Sequence, residues 1–234
     1  MAIIFGIDGV RVVSRKGQSN THRNSFVRRI VENSSSVSQE RRYLSGPSGA
    51  SGSLDESIEN GYSFVRSRFR AAQGDSPVLL TGFSRGAAGI ITLSRRLEKR
   101  NVPVKAILLF DAVDKFASSG VSSIPNSVKN VLHVRRHPES KSMPGLASVG
   151  KRSSSPTVYE EKLFKCTHAA MGGMPWSWEM GQTPSDLIDE ASATASFGTA
   201  NRSTQTTITF TQEESVSKEV WNYVQAFRGK HRFL

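Results

Sequence analysis

The chain has 234 residues, enough to bury a substantial core in one domain, and 37% hydrophobic against 22% charged residues mark it as globular rather than disordered or fibrous. Its formal charge of +11 favours anionic partners, but the arginines are scattered (Arg28-Arg29, Arg41-Arg42, Arg95-Arg96, Arg135-Arg136) without the aromatic interleaving of a nucleic-acid module, so a nucleic-acid role is not expected. One cysteine, Cys166, excludes an internal disulfide framework and a cysteine metal cluster, and no stretch approaches the ~20 apolar residues of a membrane span.

Ala2 to Ile7 is wholly apolar and stops at Asp8-Gly9, which predicts a buried strand ending in a loop. The start is too short for a signal peptide and lacks a basic lead and a cleavage site. The expected location is therefore the cytoplasm, or delivery by a secretion system that needs no signal peptide. Val10 to Asn24 reads as a basic loop. Ser25 to Asn33 places Phe26, Val27, Ile30 and Val31 on one helix face. Arg41 to Leu44 predicts a short strand, and Ser45 to Ser53 a Gly/Ser loop. Asp55 to Ala72 predicts a helix carrying Ile58, Tyr62, Phe64, Val65 and Phe69, with Ser53 or Asp55 as its cap.

Val78 to Leu80 leads as a strand into Gly82-Phe83-Ser84-Arg85-Gly86, and a helix follows from about Arg85 to Arg100. Val104 to Phe110 is the next strand, ending at Asp111, and Ser118 to Asn126 is a loop. Val128 to Val134 is a further strand, and Glu161 to Cys166 is the last, ending at Thr167-His168. Between them, 140–156 reads as a mobile stretch or partial lid. Pro184 to Glu190 predicts a short helix, Thr207 to Phe210 an extended piece, and Glu213 to Phe227 an amphipathic helix, with a tail from Gly229. Strands alternating with helices predict an α/β three-layer sandwich, a mainly parallel central sheet with helices on both faces. No repeat or boundary divides the chain, so 1–234 is read as a single domain.

G-x-S-x-G between a strand and a helix has the form of the α/β-hydrolase nucleophile elbow. There a sharp turn exposes the serine at the carboxyl edge of the sheet, and the flanking glycines let strand and helix pass. Ser84 is thus the candidate nucleophile. Such a serine needs a base, an orienting acid and oxyanion donors, with acid and base following in chain order at the same edge. His168, just past the last strand, is the candidate base, and His137 is the rival after VLHVRR. His133 falls inside a strand and reads as a core residue. Asp111 is the candidate acid, with Asp114 three residues on and Glu139 as weaker alternatives. The oxyanion donors are expected from the backbone N–H of Arg85 and from the loop after the first strand, at Asp8, Gly9 or Val10. Asp8 itself sits oddly beside a developing oxyanion, and reads as a residue that fixes the loop by accepting backbone hydrogen bonds or faces away. No metal or cofactor is required.

Together FGIDGV (followed by Asn20 and Asn24), GFSRGAA, LLFDAVD and Thr167-His168-Ala-Ala-Met-Gly172-Gly173 resemble the catalytic domain of the type VI secretion lipase effector family, long filed as a domain of unknown function. The resemblance spans about residues 1 to 175, and GFSRGA is its most specific piece. It implies an α/β-hydrolase with the triad Ser84, Asp111 and His168 and a phospholipase or lipase activity. Two departures stand out. Ala170 replaces the family's Asp in His-x-Asp-Val-Gly-Gly, and the large membrane-docking domain of the longer effectors is not in this sequence. The expected partners are a lipid or other ester substrate and an anionic membrane surface. The competing expectations are a small-substrate carboxylesterase or thioesterase, and a non-catalytic binding protein on a hydrolase fold.

Overall fold

A computed structural model of the chain describes residues 1–10, 24–47, 54–114, 121–153, 156–190 and 205–234. Most of the Val10–Asn24 and Ser45–Ser53 loops, with Asn20, His22 and Ser53, lie outside the described residues, as do 118–120 and 154–155.

The apolar runs form the centre of the molecule. Strands β1 (Ile3–Ile7), β2 (Arg41–Leu44), β3 (Val78–Phe83), β4 (Val104–Phe110), β6 (Val128–Arg136) and β8 (Val158–Phe164) make one sheet in the order β2-β1-β3-β4-β6-β8. Every pairing in it is parallel. Parallel strands are covered on both faces, which is why β1, β3 and β4 are apolar almost throughout rather than alternating. Period-two geometry then divides their side chains. Ile3, Phe5 and Ile7 join Leu80, Ile107 and Leu109 on one face, under α2 (Leu54–Ala71) and α3 (Ser84–Glu98). Ile4, Leu79, Leu108 and Phe110 face the other way, against α1 (Phe26–Glu32) and α5 (Phe210–His231). The result is the α/β three-layer architecture expected from the sequence. Each fully buried aliphatic side chain contributes about 1.5–3 kcal/mol, so the two cores dominate stability.

After β1 the chain steps outward to β2, then crosses back to place β3 on β1's other side. The order reverses between β1 and β3. In parallel sheets the crevice at such a reversal, outside the carboxyl ends of the strands, is where ligands bind. Register fixes what meets there. Ile7 pairs with Gly82, Phe83 with Phe110, and Phe110 with Val134, so the residues just past each strand share one edge.

Several elements differ from expectation. Pro184 to Glu190 is not helical: Leu187–Asp189 is a strand, β9, antiparallel to β10 (Gln205–Thr209). Ile188 is buried between exposed Leu187 and Asp189, a period of two too short to distinguish from a helical turn in the sequence. β8 begins at Val158, three residues early, because an edge strand carries exposed polar residues (Glu160, Glu161 and Lys162) instead of an apolar run. α5 starts at Phe210, not Glu213, on a capping box between Thr209 and Gln212, and runs through Gly229 to His231. Ser123–Ile124 (β5) and Arg152–Ser153 (β7) form a small parallel ladder. The 140–156 segment is anchored in its first half, where Ser140, Ser142 and Met143 are buried. No helix among the described residues is long and apolar enough to cross a membrane.

Candidate active site

Ser84 is the first residue of α3, directly after β3, and its φ is +57°. A non-glycine residue in the left-handed region is strained by about 1–3 kcal/mol and persists only where its surroundings fix it. The two elbow glycines explain the fixation. A Cβ at Gly82 would lie 2.7 Å from the Cα of Ala87, so glycine lets α3 fold back onto its own strand. A Cβ at Gly86 would lie 2.2 Å from the Asp8 carbonyl oxygen and 2.3 Å from that of Ile7, so glycine lets α3 sit on the end of β1.

Asp111 follows β4 and is also left-handed, with φ +43°; its N–H donates to the Val134 carbonyl at 2.7 Å. His168 opens the short helix α4 (His168–Met171), capped by Thr167. The structure brings the three together. Ser84 Oγ lies 2.8 Å from His168 Nε2, and His168 Nδ1 lies 2.7 Å from Asp111 Oδ2. The carboxylate therefore favours the tautomer with the proton on Nδ1, leaving Nε2 to accept the serine hydroxyl proton. All three residues are buried, and the Phe83 ring stacks on the imidazole at 4.8 Å between centroids.

Of the alternatives, His137 accepts the Glu139 N–H through Nδ1, while the imidazole at Ser84 Oγ is that of His168. His133 is fully buried; its Nε2 accepts the Ala112 N–H, so Nδ1 carries the proton toward Tyr159 Oη, which donates to the Gly150 carbonyl. Burial pushes its pKa down to about 3, consistent with a neutral residue that steadies the turn after Asp111. The Asp114 N–H donates to the Ala147 carbonyl, and the carboxylate at His168 Nδ1 is that of Asp111.

One buried arginine and two buried glutamates around the site escaped the sequence reading. Arg136, the last residue of β6, donates from Nη1 to Asp111 Oδ2 at 2.5 Å, and the same nitrogen lies 3.1 Å from His168 Nδ1. Its Nη2 donates to the carbonyls of Leu146 (2.8 Å) and Met143 (3.2 Å). Glu190 accepts from Ser142 Oγ and from the Met143 N–H, and Ser142 Oγ accepts the His168 N–H at 2.7 Å. Glu213, on α5, accepts from the Thr167 N–H, the Thr167 hydroxyl and the Trp176 N–H, holding the loop that presents His168. The strand expected from the sequence stops at Val134, whereas β6 runs on to Arg136, whose partners are 25 and 32 positions away.

Electrostatics follow from these contacts. Burial opposes ionisation of Asp111, but the Arg136 charge and the His168 hydrogen bond outweigh it and hold the carboxyl well below its usual range. His168 is pushed below its ordinary value, first by burial and further by Arg136, against the pull of Asp111. Burial raises Glu190 to about 7 and raises Glu213.

The loop after β1 differs from expectation. The Asp8 N–H donates to the Leu44 carbonyl at 3.0 Å, because β2 extends its ladder past Ile7, so Asp8 cannot offer that N–H to an oxyanion. Its carboxyl, fully buried, accepts from Ser25 Oγ (2.5 Å) and Tyr43 Oη (2.6 Å), and burial raises it to about 7. The residue thus fixes the loop through two side-chain donors. Gly9 lies directly against the serine: a Cβ there would come within 2.8 Å of the Ser84 Cβ. Arg85 follows the serine in the first turn of α3, where backbone N–H groups project past the helix end. Among the described residues no group of three or more His, Cys, Asp or Glu could hold a metal ion.

No protein-family model and no curated protein matches the chain. The resemblance to type VI lipase effectors therefore stands on its motifs alone. Among solved structures, an uncharacterized protein from Pseudomonas aeruginosa aligns at a TM-score of 0.44 with 12% identity over 74% of this chain, which spans only 42% of that protein's length. The thioesterase domain SrfTE, which cyclizes the lipopeptide antibiotic surfactin, aligns at a TM-score of 0.33 with 16% identity over 48% of this chain and 68% of its own.

Proposed function

We propose that the protein is a serine hydrolase that cleaves an ester through an acyl-enzyme, with Ser84 as nucleophile, His168 as general base and acid, and Asp111 as the residue that orients and stabilises the imidazolium. The observation that carries this reading is the unbroken relay from Ser84 Oγ to His168 Nε2 (2.8 Å) and from His168 Nδ1 to Asp111 Oδ2 (2.7 Å), built on a serine with φ +57°. Ser84 Oγ attacks the acyl carbon as Nε2 takes its proton. The tetrahedral oxyanion is held by the backbone N–H of Arg85, and Gly9, whose own N–H is directed to the Asp8 carboxyl, leaves room beside Ser84 for the acyl group. Collapse expels the alcohol, which receives the proton from Nε2. Water then repeats the sequence on the acyl-serine, releasing the acid.

The substrate is proposed to be a lipid or phospholipid. The effector-like motifs support this, as do the net charge of +11, which suits an anionic surface, and Trp178 and Met180, which stand exposed a few residues after the His168 loop. The test is hydrolysis of p-nitrophenyl esters of rising chain length and of phospholipid vesicles by wild type and Ser84→Ala. The expected result is a long-acyl preference with vesicle turnover, abolished in the variant. Full activity in Ser84→Ala would overturn the hydrolase reading. Short-acyl preference without vesicle turnover would replace the lipid substrate by a small ester.

A further inference from the structure

The described part of the site contains a cation that ester hydrolysis by a serine, a histidine and an aspartate does not call for. Arg136 is 8% exposed, and one of its amino groups touches both Asp111 Oδ2 and His168 Nδ1. With Nδ1 protonated, two donors face each other across 3.1 Å and share a single acceptor, since Asp111 Oδ1 has no partner among the described residues. The other amino group grips the Met143 and Leu146 carbonyls. The guanidinium fork therefore ties three things together: the acid, the imidazole and the 143–146 segment. Such a planar fork can do this where a point charge cannot.

We propose that Arg136 is a positioning residue of the proposed hydrolase site, which locks the Asp111 carboxylate and the 143–146 segment around His168 and keeps the imidazole in its neutral form. The proposal rests on the hydrolase reading for its catalytic consequence, but not for its geometry. A fixed positive charge beside Nδ1 repels the second proton an imidazolium would carry. A serine nucleophile works only with a neutral base, so the effect extends activity toward acid. The same repulsion weakens the base, and the site gives up some drive for proton transfer in return.

Other charged and titratable groups around the imidazole do not replace Arg136. On β4 the facing group is Asp111. Glu190, next to β9, reaches the site through Ser142, and Glu213 on α5 reaches it through Thr167. Cys166, two residues before the histidine, is buried with its thiol pushed up. His133, on β6, is neutral and turned toward Ala112 and Tyr159. Three buried carboxyls and one guanidinium thus surround His168, and only the guanidinium disfavours imidazolium formation. Among the causes acting on His168, burial lowers it most, Asp111 raises it and Arg136 lowers it, which agrees with the geometry.

The test has two readouts. The first is the pH profile of kcat/KM for wild type, Arg136→Met and Arg136→Lys. Arg136→Met should move the acidic limb up by about one pH unit, the scale of a single adjacent charge. Arg136→Lys, which keeps the charge but cannot span all the partners, should keep the limb near wild type while its rate falls. A merely structural arginine would lower the rate in both variants and leave the limb in place, and that result would overturn the proposal. The second readout is NMR titration of the His168 ring, assigned by its loss in His168→Ala. The wild-type ring should titrate below the ordinary 6.5, and above it in no condition. A wild-type midpoint above 6.5 would overturn the proposal even if Arg136→Met does not fold. If the wild type hydrolyses no ester, the hydrolase reading fails, while a ring midpoint below 6.5 that rises in Arg136→Met and stays near wild type in Arg136→Lys still supports the role of Arg136.

Discussion

Gly86→Ala tests how the elbow is built. The added Cβ would sit 2.2 Å from the Asp8 carbonyl oxygen and 2.3 Å from that of Ile7, about an ångström inside ordinary contact. Both atoms are backbone at the buried end of strand β1, so neither can swing away as a flexible side chain would. Helix α3 must lift off β1 instead. Overpacking of this kind costs about 3 kcal/mol, which for a chain of this length lowers the melting temperature by roughly 6–12 °C. The lift also carries Ser84 away from His168 and Gly9, and a displacement of about 1 Å is enough to lose about 10²-fold in rate. Gly145 supplies the control, since a Cβ there meets nothing within 4 Å. Gly145→Ala should stay within about 0.5 kcal/mol of wild type, as expected of an open surface position. Thermal and urea unfolding of the three proteins, with ester turnover at saturation, measures both effects. If Gly86→Ala melts with wild type, or if the two alanines cost the same, the close approach of α3 to β1 is not what holds the elbow.

Asp111→Asn should leave the fold in place but lower kcat by about 10⁴, because the amide no longer selects the tautomer with the proton on Nδ1; retained activity would assign the acid elsewhere. Asp8 makes a pH prediction. Burial raises it from 3.8 to about 7, so the folded protein holds a proton that the unfolded chain has lost, and its contribution is full below pH 3.8 and lost as pH rises through 7. Between pH 4 and 8 the wild type should therefore lose more stability than Asp8→Asn, by up to about 4 kcal/mol in urea titrations; parallel profiles would contradict this. Glu213→Ala strips two buried donors on Thr167 and a partly buried one on Trp176 of their acceptor. It should cost about 3–5 kcal/mol in the same assay and lower turnover by loosening the His168 loop.

The sheet was legible because its strands announce themselves locally. Val104 to Phe110 is an apolar run closed by Asp111, and its bounds are the observed ones. Once the strands are known to be parallel, residues such as Ser84, Asp111 and His168 fall at one edge, whichever chemistry they perform. What stayed hidden depends on contacts between distant segments. Nothing local distinguishes Arg136 from Arg135, yet Arg136 is buried against Asp111 while Arg135 pairs with Glu161 on the neighbouring edge strand. Alternation along β6 turns one inward and the other out. Asp8 was visible as a strand-end residue, but its donors, Ser25 and Tyr43, come from α1's cap and β2. The loss of its N–H to Leu44 depends on how far β2 runs beside β1. For β9, three residues of alternation are too few to separate a strand from a helical turn.

The most direct measurement of the central claim is covalent labelling with a fluorophosphonate probe, read by intact mass and peptide mapping. The account predicts a single adduct on Ser84 in the wild type, absent in Ser84→Ala and strongly slowed in His168→Ala. A folded wild-type protein that takes no label, or takes it on another serine, would contradict it.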